Sequence, residues 1–360
     1  MSDEAPHEAL TEATDEVPID VPQGIDPEAV TGWMKAHVEL TPPLAFELIA
    51  GGRSNLTYRV TDAEGRAWVL RRPPLGQVLA TAHDMGREHR IISALKDTDV
   101  PVPPTVGLSA DDSVNGAPFY VMDFVPGLII RDVPTAEQLT VEARTRAGNE
   151  LVDVMARIHA VEPDAVGLGD LGRREDYIAR QLKRWYGQWE KSKSRDLATV
   201  DSVHDDLLAR IPDQGPAAIV HGDYRLDNCL LNTDGTVAAV LDWEICTLGD
   251  PMADLGLLVV YWGEDGSGVA ALPGAPTSAE GFPAASELVE RYARVSGRDT
   301  SDIDFYIAFG YWKLACILEG VANRYRGGSM GTGSEAGDAY GAIVEGLGEA
   351  ARAAADRLVT

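Results

Sequence analysis

Two short segments constrain this chain more than anything else in it. Residues 221–228 read His-Gly-Asp-Tyr-Arg-Leu-Asp-Asn, and Leu241-Asp242-Trp243-Glu244 follows, with Asp242 fourteen positions after Asn228. Their flanks carry strand signals. Ala217-Ala218-Ile219-Val220 is a short apolar run before the first segment. Cys229-Leu230-Leu231 and Val237-Ala238-Ala239-Val240-Leu241 come after it, separated by the turn pair Asp234-Gly235. The order is therefore strand, loop, hairpin, acid. An Asp, an Asn five residues on and a second Asp on the next strand suit phosphoryl transfer from a magnesium nucleotide. Asp223 accepts the proton of a substrate hydroxyl in that scheme, while Asn228 and Asp242 supply the oxygen ligands that Mg²⁺ prefers.

Bulk properties narrow the partners. With 360 residues and 45% hydrophobic content, the chain can bury a large core arranged as two domains or lobes. A net charge of −26 argues against nucleic acid, whose phosphates call for Lys and Arg, and against an anionic membrane surface. Part of the excess is local: residues 1–30 hold nine Asp or Glu and no Lys or Arg, so residues 1–24 read as a disordered acidic tail. Cys229, Cys246 and Cys316 are an odd set without paired spacing, which predicts free, buried thiols in a reducing compartment. The start lacks the pattern of a signal peptide, and no apolar run reads as a membrane span, so a cytoplasmic protein is expected.

Periodicity predicts an α+β chain. A helix starts at Asp26-Pro27-Glu28, and strand-like stretches cover 45–50, 56–61, 67–72 and 119–124, with a helix over 81–95. Together these form a small, mostly antiparallel N-terminal lobe, residues 25–125, ended by Val125-Pro126-Gly127. From there to residue 360 the spacing is mainly helical: 136–161, 173–191, 202–209, 251–261, 284–295, 303–326 and 336–358. The Gly- and Pro-rich stretch 263–283 reads as a mobile loop. Two glycine patterns are set aside. Gly167–Gly172 fits G-x-G-x-x-G but follows a helix, and Gly327–Gly331 fits G-x-S-x-G but ends one.

The segments HGDYRLDN and LDWE, with the run Gly249-Asp250-Pro251-Met252-Ala253-Asp254-Leu255-Gly256 after them, are similar to the catalytic core of the aminoglycoside phosphotransferase family. Protein kinases place the same Asp, Asn and Asp in HRDxxxxN and DFG. The resemblance extends over residues 45–325 and is nearest the branch also found fused to acyl-CoA dehydrogenases. It implies a protein-kinase-like fold with a small antiparallel-sheet N-lobe and a larger, mainly helical C-lobe. It also implies ATP and Mg²⁺ as cofactors.

Further positions follow from the resemblance. The loop between the first two strands, with Gly52, Arg53, Ser54 and Asn55, covers the phosphates, although it lacks the full glycine pattern of protein kinases. The phosphate-binding Lys of kinase-like folds is replaced by Arg71, with Arg72 on the opposite strand face; a shift of one residue would exchange them. Glu88 matches the helix Glu that pairs with this cation. Met122 backs the adenine pocket, and main-chain groups from Asp123 to Val125 bond the base. His221 holds the loop. Arg225 and Asp227 serve either substrate or loop packing. Asp250 caps a helix, and Asp254 braces. The acceptor lies in the helical lobe near Tyr261-Trp262, the 263–283 loop and the helix carrying Tyr311, Trp312, Glu319, Asn323 and Arg324. It is a small-molecule hydroxyl, aminoglycoside-like or a hydroxyacyl-CoA. The alternative is a catalytically inactive nucleotide-binding scaffold, which the Arg at the Lys position and the incomplete glycine loop favour.

Overall fold

A computed structural model describes residues 22–49, 55–75, 84–263, 275–327 and 334–359. The acidic tail up to residue 21 and Gly52, Arg53 and Ser54 lie outside these residues, as do positions 81–83 and most of the 263–283 loop.

Five strands form an antiparallel sheet in the order β1-β2-β3-β5-β4. They are β1 (Ala45–Leu48), β2 (Leu56–Thr61), β3 (Ala67–Arg72), β4 (Thr105–Ser109) and β5 (Phe119–Asp123). The β2–β3 turn is built from Asp62, whose carboxylate accepts the amides of Glu64 (3.0 Å), Arg66 (2.9 Å) and Thr41 (3.0 Å), while Gly65 takes a φ of +85°. Alternation sorts the two faces. Tyr58, Val60, Trp68, Leu70, Phe119 and Val121 pack on Val30 and Met34 of the Pro27–Lys35 helix. Val69, Tyr120 and Met122 point the other way, against Ile91, Ile92 and Leu95 of the Met85–Leu95 helix. This face is continuous with the core of the helical lobe.

Strand β4 escapes sequence patterning for a physical reason. It is a half-buried edge strand with a register shift, and its Gly107 sits against the Trp33 ring, where a Cβ would come within 3.2 Å. The expected helix over 136–161 is two pieces. Val133–Ala136 is closed by an Asp132–Thr135 capping box, and Val141–Ala160 begins at Thr140, whose hydroxyl accepts the Ala143 amide at 3.2 Å. The other helices are Asp112–Asn115, Tyr177–Ser192, Ala198–Ala209, Met252–Trp262, Ala285–Ser296, Ile303–Arg326 and Ser334–Asp356. Ile303–Arg326 is long and apolar enough to cross a membrane, which corrects the sequence reading of apolar runs; its apolar window is 83% buried inside the fold, so it is the central core helix.

Two short antiparallel strand pairs interrupt the helices. Strand β6 (Ala218–Val220) pairs antiparallel with β9 (Thr247–Gly249), and β7 (Cys229–Leu231) with β8 (Val237–Val240). The loops that leave β6 and β8 carry Asp223, Asn228 and Asp242. The three cysteines are free and buried, and burial raises all three thiol pKa values.

Candidate active site

The loop after β6 is fixed from beneath by one buried carboxylate. Asp254, on the Met252–Trp262 helix, accepts the amides of His221 (2.7 Å) and Gly222 (2.8 Å) and contacts His159 Nε2 at 3.3 Å. Burial alone would raise the Asp254 pKa, but these partners hold it below the usual carboxylate range. His221 Nε2 donates to Leu241 O at 2.9 Å, and the Asp223 amide reaches His221 Nδ1 at 3.3 Å, so the ring links the two catalytic segments. Gly222 has a φ of +87° and faces Ile245, where a Cβ would meet the side chain at 3.1 Å. Asp250 accepts the Met252 amide at 3.0 Å and the Tyr306 hydroxyl at 2.6 Å, one residue ahead of the helix N-cap, which is Pro251 and not Asp250 as expected.

Asp223 is thereby presented to solvent with its carboxylate oriented from two sides. Asn228 Nδ2 donates to Asp223 Oδ2 (3.0 Å) and to the Asp223 carbonyl (2.8 Å), and the Tyr261 hydroxyl donates to Oδ1 (3.3 Å). With both amide protons of Asn228 engaged, its Oδ1 is left as an acceptor. The Leu241 amide bonds the Asn228 carbonyl at 2.8 Å, which brings Asp242 beside Asn228. Asp242 has left-handed backbone angles, φ 64° and ψ 57°, a conformation that a non-glycine residue holds only when its surroundings enforce it. Two oxygen donors and, among the described residues, no cluster of three His, Cys, Asp or Glu make a set that fits Mg²⁺ shared with phosphates and water, and fits a protein-only metal cage poorly.

On the sheet side, Arg71 reaches Glu88 Oε1 at 2.8 Å and Asp242 Oδ1 at 3.2 Å. Burial acts to lower its pKa, but Tyr120, Glu88 and Asp242 raise it on balance, so the guanidinium stays charged. Burial pushes Glu88 up to about 7 against the pull of Arg71. Arg72 points away, donating to Gly24 O and to Asn115 O (3.0 Å), so strand alternation assigns Arg71 to the cleft. Met122 is buried on the cleft face. The amides of Asp123 and Phe124 are engaged by Pro104 O (2.8 Å) and Ala67 O (3.3 Å), which leaves Val125 as the amide donor of this stretch. Asn55 donates to Glu244 Oε2 at 3.2 Å across the cleft. Arg87, on the Met85–Leu95 helix, ties the sheet side to the opposite segment through Cys246 O (2.6 Å) and Glu244 O (3.3 Å).

The other side of Asp223 is basic. A cleft of about 910 Å³ is lined by Arg87, Arg173, Arg180, Arg184, Arg225 and Lys313, with the acids Asp84, Asp223 and Glu244 also among its walls. It shares Arg173, Arg180 and Arg184 with a second cleft of about 1010 Å³ that adds Lys183, Lys191 and Arg324 and has no carboxylate in its lining. Among the described residues, no carboxylate lies within 4.0 Å of Arg180, Lys183, Arg184, Lys191 or Arg324. Arg184 stacks on Trp185 at 4.9 Å, and Arg180 Nη2 is held by Arg173 O at 2.6 Å. Arg225 instead sits between Asp223 (3.4 Å) and Asp227 (3.0 Å) over the Tyr261 ring.

A model of the phosphotransferase enzyme family (APH) matches residues 45–297. The chain belongs to the aminoglycoside phosphotransferase family. It is similar to acyl-CoA dehydrogenase family member 10 of Mus musculus, at 34% identity over 308 residues, covering 84% of this chain and 28% of that protein. The chain thus spans about a quarter to two-fifths of the curated relatives that it matches in this branch. Among solved structures it resembles a candidate aminoglycoside phosphotransferase from Ralstonia eutropha JMP134, with a TM-score of 0.77 and 35% identity over 91% of this chain and 99% of the other. Aminoglycoside phosphotransferase APH(4)-Ia, solved with AMP-PNP and hygromycin B, shares the fold at a TM-score of 0.56 and 16% identity, covering 88% and 97% of the two chains. The architecture, α+β and protein-kinase-like, is that of this family.

Of the expected site residues, Asn55 and Asp223 line one cleft, Asn228 is bonded to Asp223, and Arg71 joins Glu88 to Asp242; Met122 and Asp123 end strand β5, with Val125 two residues on. Tyr261 joins them through Asp223. Asn323 and Arg324 face the second basic cleft. Tyr311, Trp312 and Glu319 do not line the acceptor side. The first two are core residues, and Glu319 is fully buried, held by Ser194, Arg195 and Arg326. Sequence reasoning missed Arg180, Arg184 and Lys313. A signal existed for the arginines: residues 173–195 hold eight Lys or Arg against three Asp or Glu, in a chain of net charge −26. Lys313 left none, because a lone lysine in an apolar helix reads as an exposed or snorkelling side chain.

Proposed function

We propose that this phosphotransferase moves the γ-phosphoryl group of Mg-ATP to a hydroxyl of an anionic small molecule, with a hydroxyacyl-CoA as the acceptor class. In this reading residues 25–125 bind the nucleotide, and residues 126–360 carry the catalytic loop and the acceptor. Asp223 accepts the hydroxyl proton, held in aim by Asn228 and Tyr261. Asn228 Oδ1 and Asp242 would hold Mg²⁺, which would neutralise charge on the nucleotide phosphates. Arg71 binds the α and β phosphates, oriented by Glu88. Gly52, Arg53, Ser54 and Asn55 cover them, and Met122, the Asp123 carbonyl and the Val125 amide hold the base.

The observation that carries the acceptor class is the pair Arg180 and Arg184, which line the Asp223 cleft and, among the described residues, have no carboxylate within 4.0 Å. A polycationic aminoglycoside would be repelled there, whereas a phosphate-rich handle gains charge-assisted hydrogen bonds. Similarity to proteins named acyl-CoA dehydrogenases agrees with a thioester handle. The test is an ATP-dependent phosphorylation screen covering hydroxyacyl-CoAs, aminoglycosides, sugars and amino alcohols. Phosphorylated hydroxyacyl-CoA supports the reading; an aminoglycoside product overturns it. One observation favours a scaffold instead: Arg71 already occupies Asp242. Nucleotide binding without product from any acceptor would select that alternative.

A further inference from the structure

We propose that Lys313 is a catalytic residue of the phosphoryl transfer, its ammonium touching the phosphoryl group as it passes to the acceptor hydroxyl. The proposal rests on the phosphotransfer reading above and is independent of the acceptor class. Lys313 stands midway along the Ile303–Arg326 helix, among Phe309, Tyr311, Trp312, Leu314 and Cys316, all buried. A cation there is costly. Burial pushes its pKa down, and the carboxylates of Asp223 and Asp254 oppose that shift. The side chain nevertheless lines the cleft together with Asp223, and its Nζ donates to Gly222 O at 3.1 Å, the carbonyl just before Asp223.

A purely structural lysine does not account for this placement. The loop is already held by Asp254, by His221 on Leu241 O and by the Tyr224 hydroxyl on Leu151 O at 2.9 Å. Among the described residues Gly222 O is the one hydrogen-bond acceptor of Lys313, so two of its three N–H groups are left for a ligand; the Trp185 ring lies 5.9 Å away. Two of the cations nearest the catalytic loop are committed, Arg71 to Glu88 and Asp242 and Arg225 to Asp223 and Asp227, while Arg184 lines the same cleft stacked on Trp185. In the step, the bond from phosphorus to the β–γ bridging oxygen breaks, and ADP keeps the electron pair. A bond forms from the acceptor oxygen, and its proton passes to Asp223. Lys313 keeps its protons and stabilises charge on the equatorial oxygens.

The test uses the full chain with Lys313→Met. The expected kcat is ~10²- to 10³-fold lower, while acceptor KM and MgADP affinity stay within about threefold. A second readout needs no acceptor: MgADP with aluminium fluoride mimics the group in transit. The variant should lose most of the tightening that fluoride and aluminium confer on wild-type ADP binding. Equal tightening in both proteins, or a kcat within about threefold of wild type, would overturn the proposal. Should the Met variant not fold, Lys313→Gln, which can keep the Gly222 hydrogen bond, answers under the same thresholds. Wild-type protein that tightens on fluoroaluminate yet phosphorylates nothing in the screen removes the acceptor reading and leaves Lys313 in place. Wild-type protein that binds no MgADP removes both.

Discussion

The two sides of the cleft hold their cations in opposite states. On the sheet side Arg71 is locked between Glu88 and Asp242, buried and already paired. On the helical side Arg180 and Arg184 stand, among the described residues, without carboxylate partners, aligned by Trp185 and the Arg173 carbonyl. A paired cation keeps a fixed geometry for a ligand of constant shape, which the nucleotide is. Unpaired cations raise the energy of the empty site and lower that of an anionic complex. In the proposed reading the nucleotide takes the first side and an anionic acceptor the second.

Four changes would break or sharpen this contrast. The largest effect is expected at the boundary itself: Asp223→Ala should lower kcat by ~10²- to 10⁴-fold with MgATP affinity nearly intact, measured by coupled assay and calorimetry. Loss of nucleotide binding in that variant would show that the two sides are not separable. Next, reversing Arg180 and Arg184 to Glu should cut kcat/KM for a hydroxyacyl-CoA by roughly 10²-fold and leave MgATP KM unchanged. Equal loss for an uncharged acceptor would point to misfolding of the helix face. Third, Arg71→Met should raise the nucleotide KM and destabilise the empty protein by about 3 kcal/mol, because Glu88 then lies buried without its cation. Denaturant melts check this, and adding Glu88→Gln should restore part of the loss.

The smallest effect is a pH slope. Burial raises Glu88 from its ordinary 4.5 to about 7, so the folded state holds a proton that the unfolded state has released. Its stabilising contribution is complete below about 4.5 and lost as pH rises through about 7. Glu88→Gln should therefore flatten the fall in melting temperature across that window. An unchanged slope would assign the fall to other groups.

What was legible in the sequence follows the same division. HGDYRLDN and LDWE have fixed spacing because their residues sit on consecutive strands and loops, so their order in the chain mirrors their order in space. Strands β2 and β3 were readable to the residue because alternation and the Asp62–Gly65 turn agree. The Arg71 or Arg72 ambiguity needed only the register, Arg71 opposite Thr57 and Tyr120. The acceptor side was readable only in part: Asn323 and Arg324 stood among its expected walls, whereas Arg180, Arg184 and Lys313 did not. These residues come from two helices far apart in the chain, and helical spacing shows which residues share a face without showing which faces meet. Tyr311 and Trp312, aromatic and conspicuous, went to the core.

One measurement tests the central claim most directly: a single-pot competition in which wild-type protein, ATP and Mg²⁺ meet an equimolar pool of a hydroxyacyl-CoA and an aminoglycoside, with products read by mass spectrometry. The account predicts phosphorylated hydroxyacyl-CoA alone, abolished by Asp223→Ala and sharply reduced when Arg180 and Arg184 are reversed. Phosphorylated aminoglycoside with the hydroxyacyl-CoA untouched would contradict it.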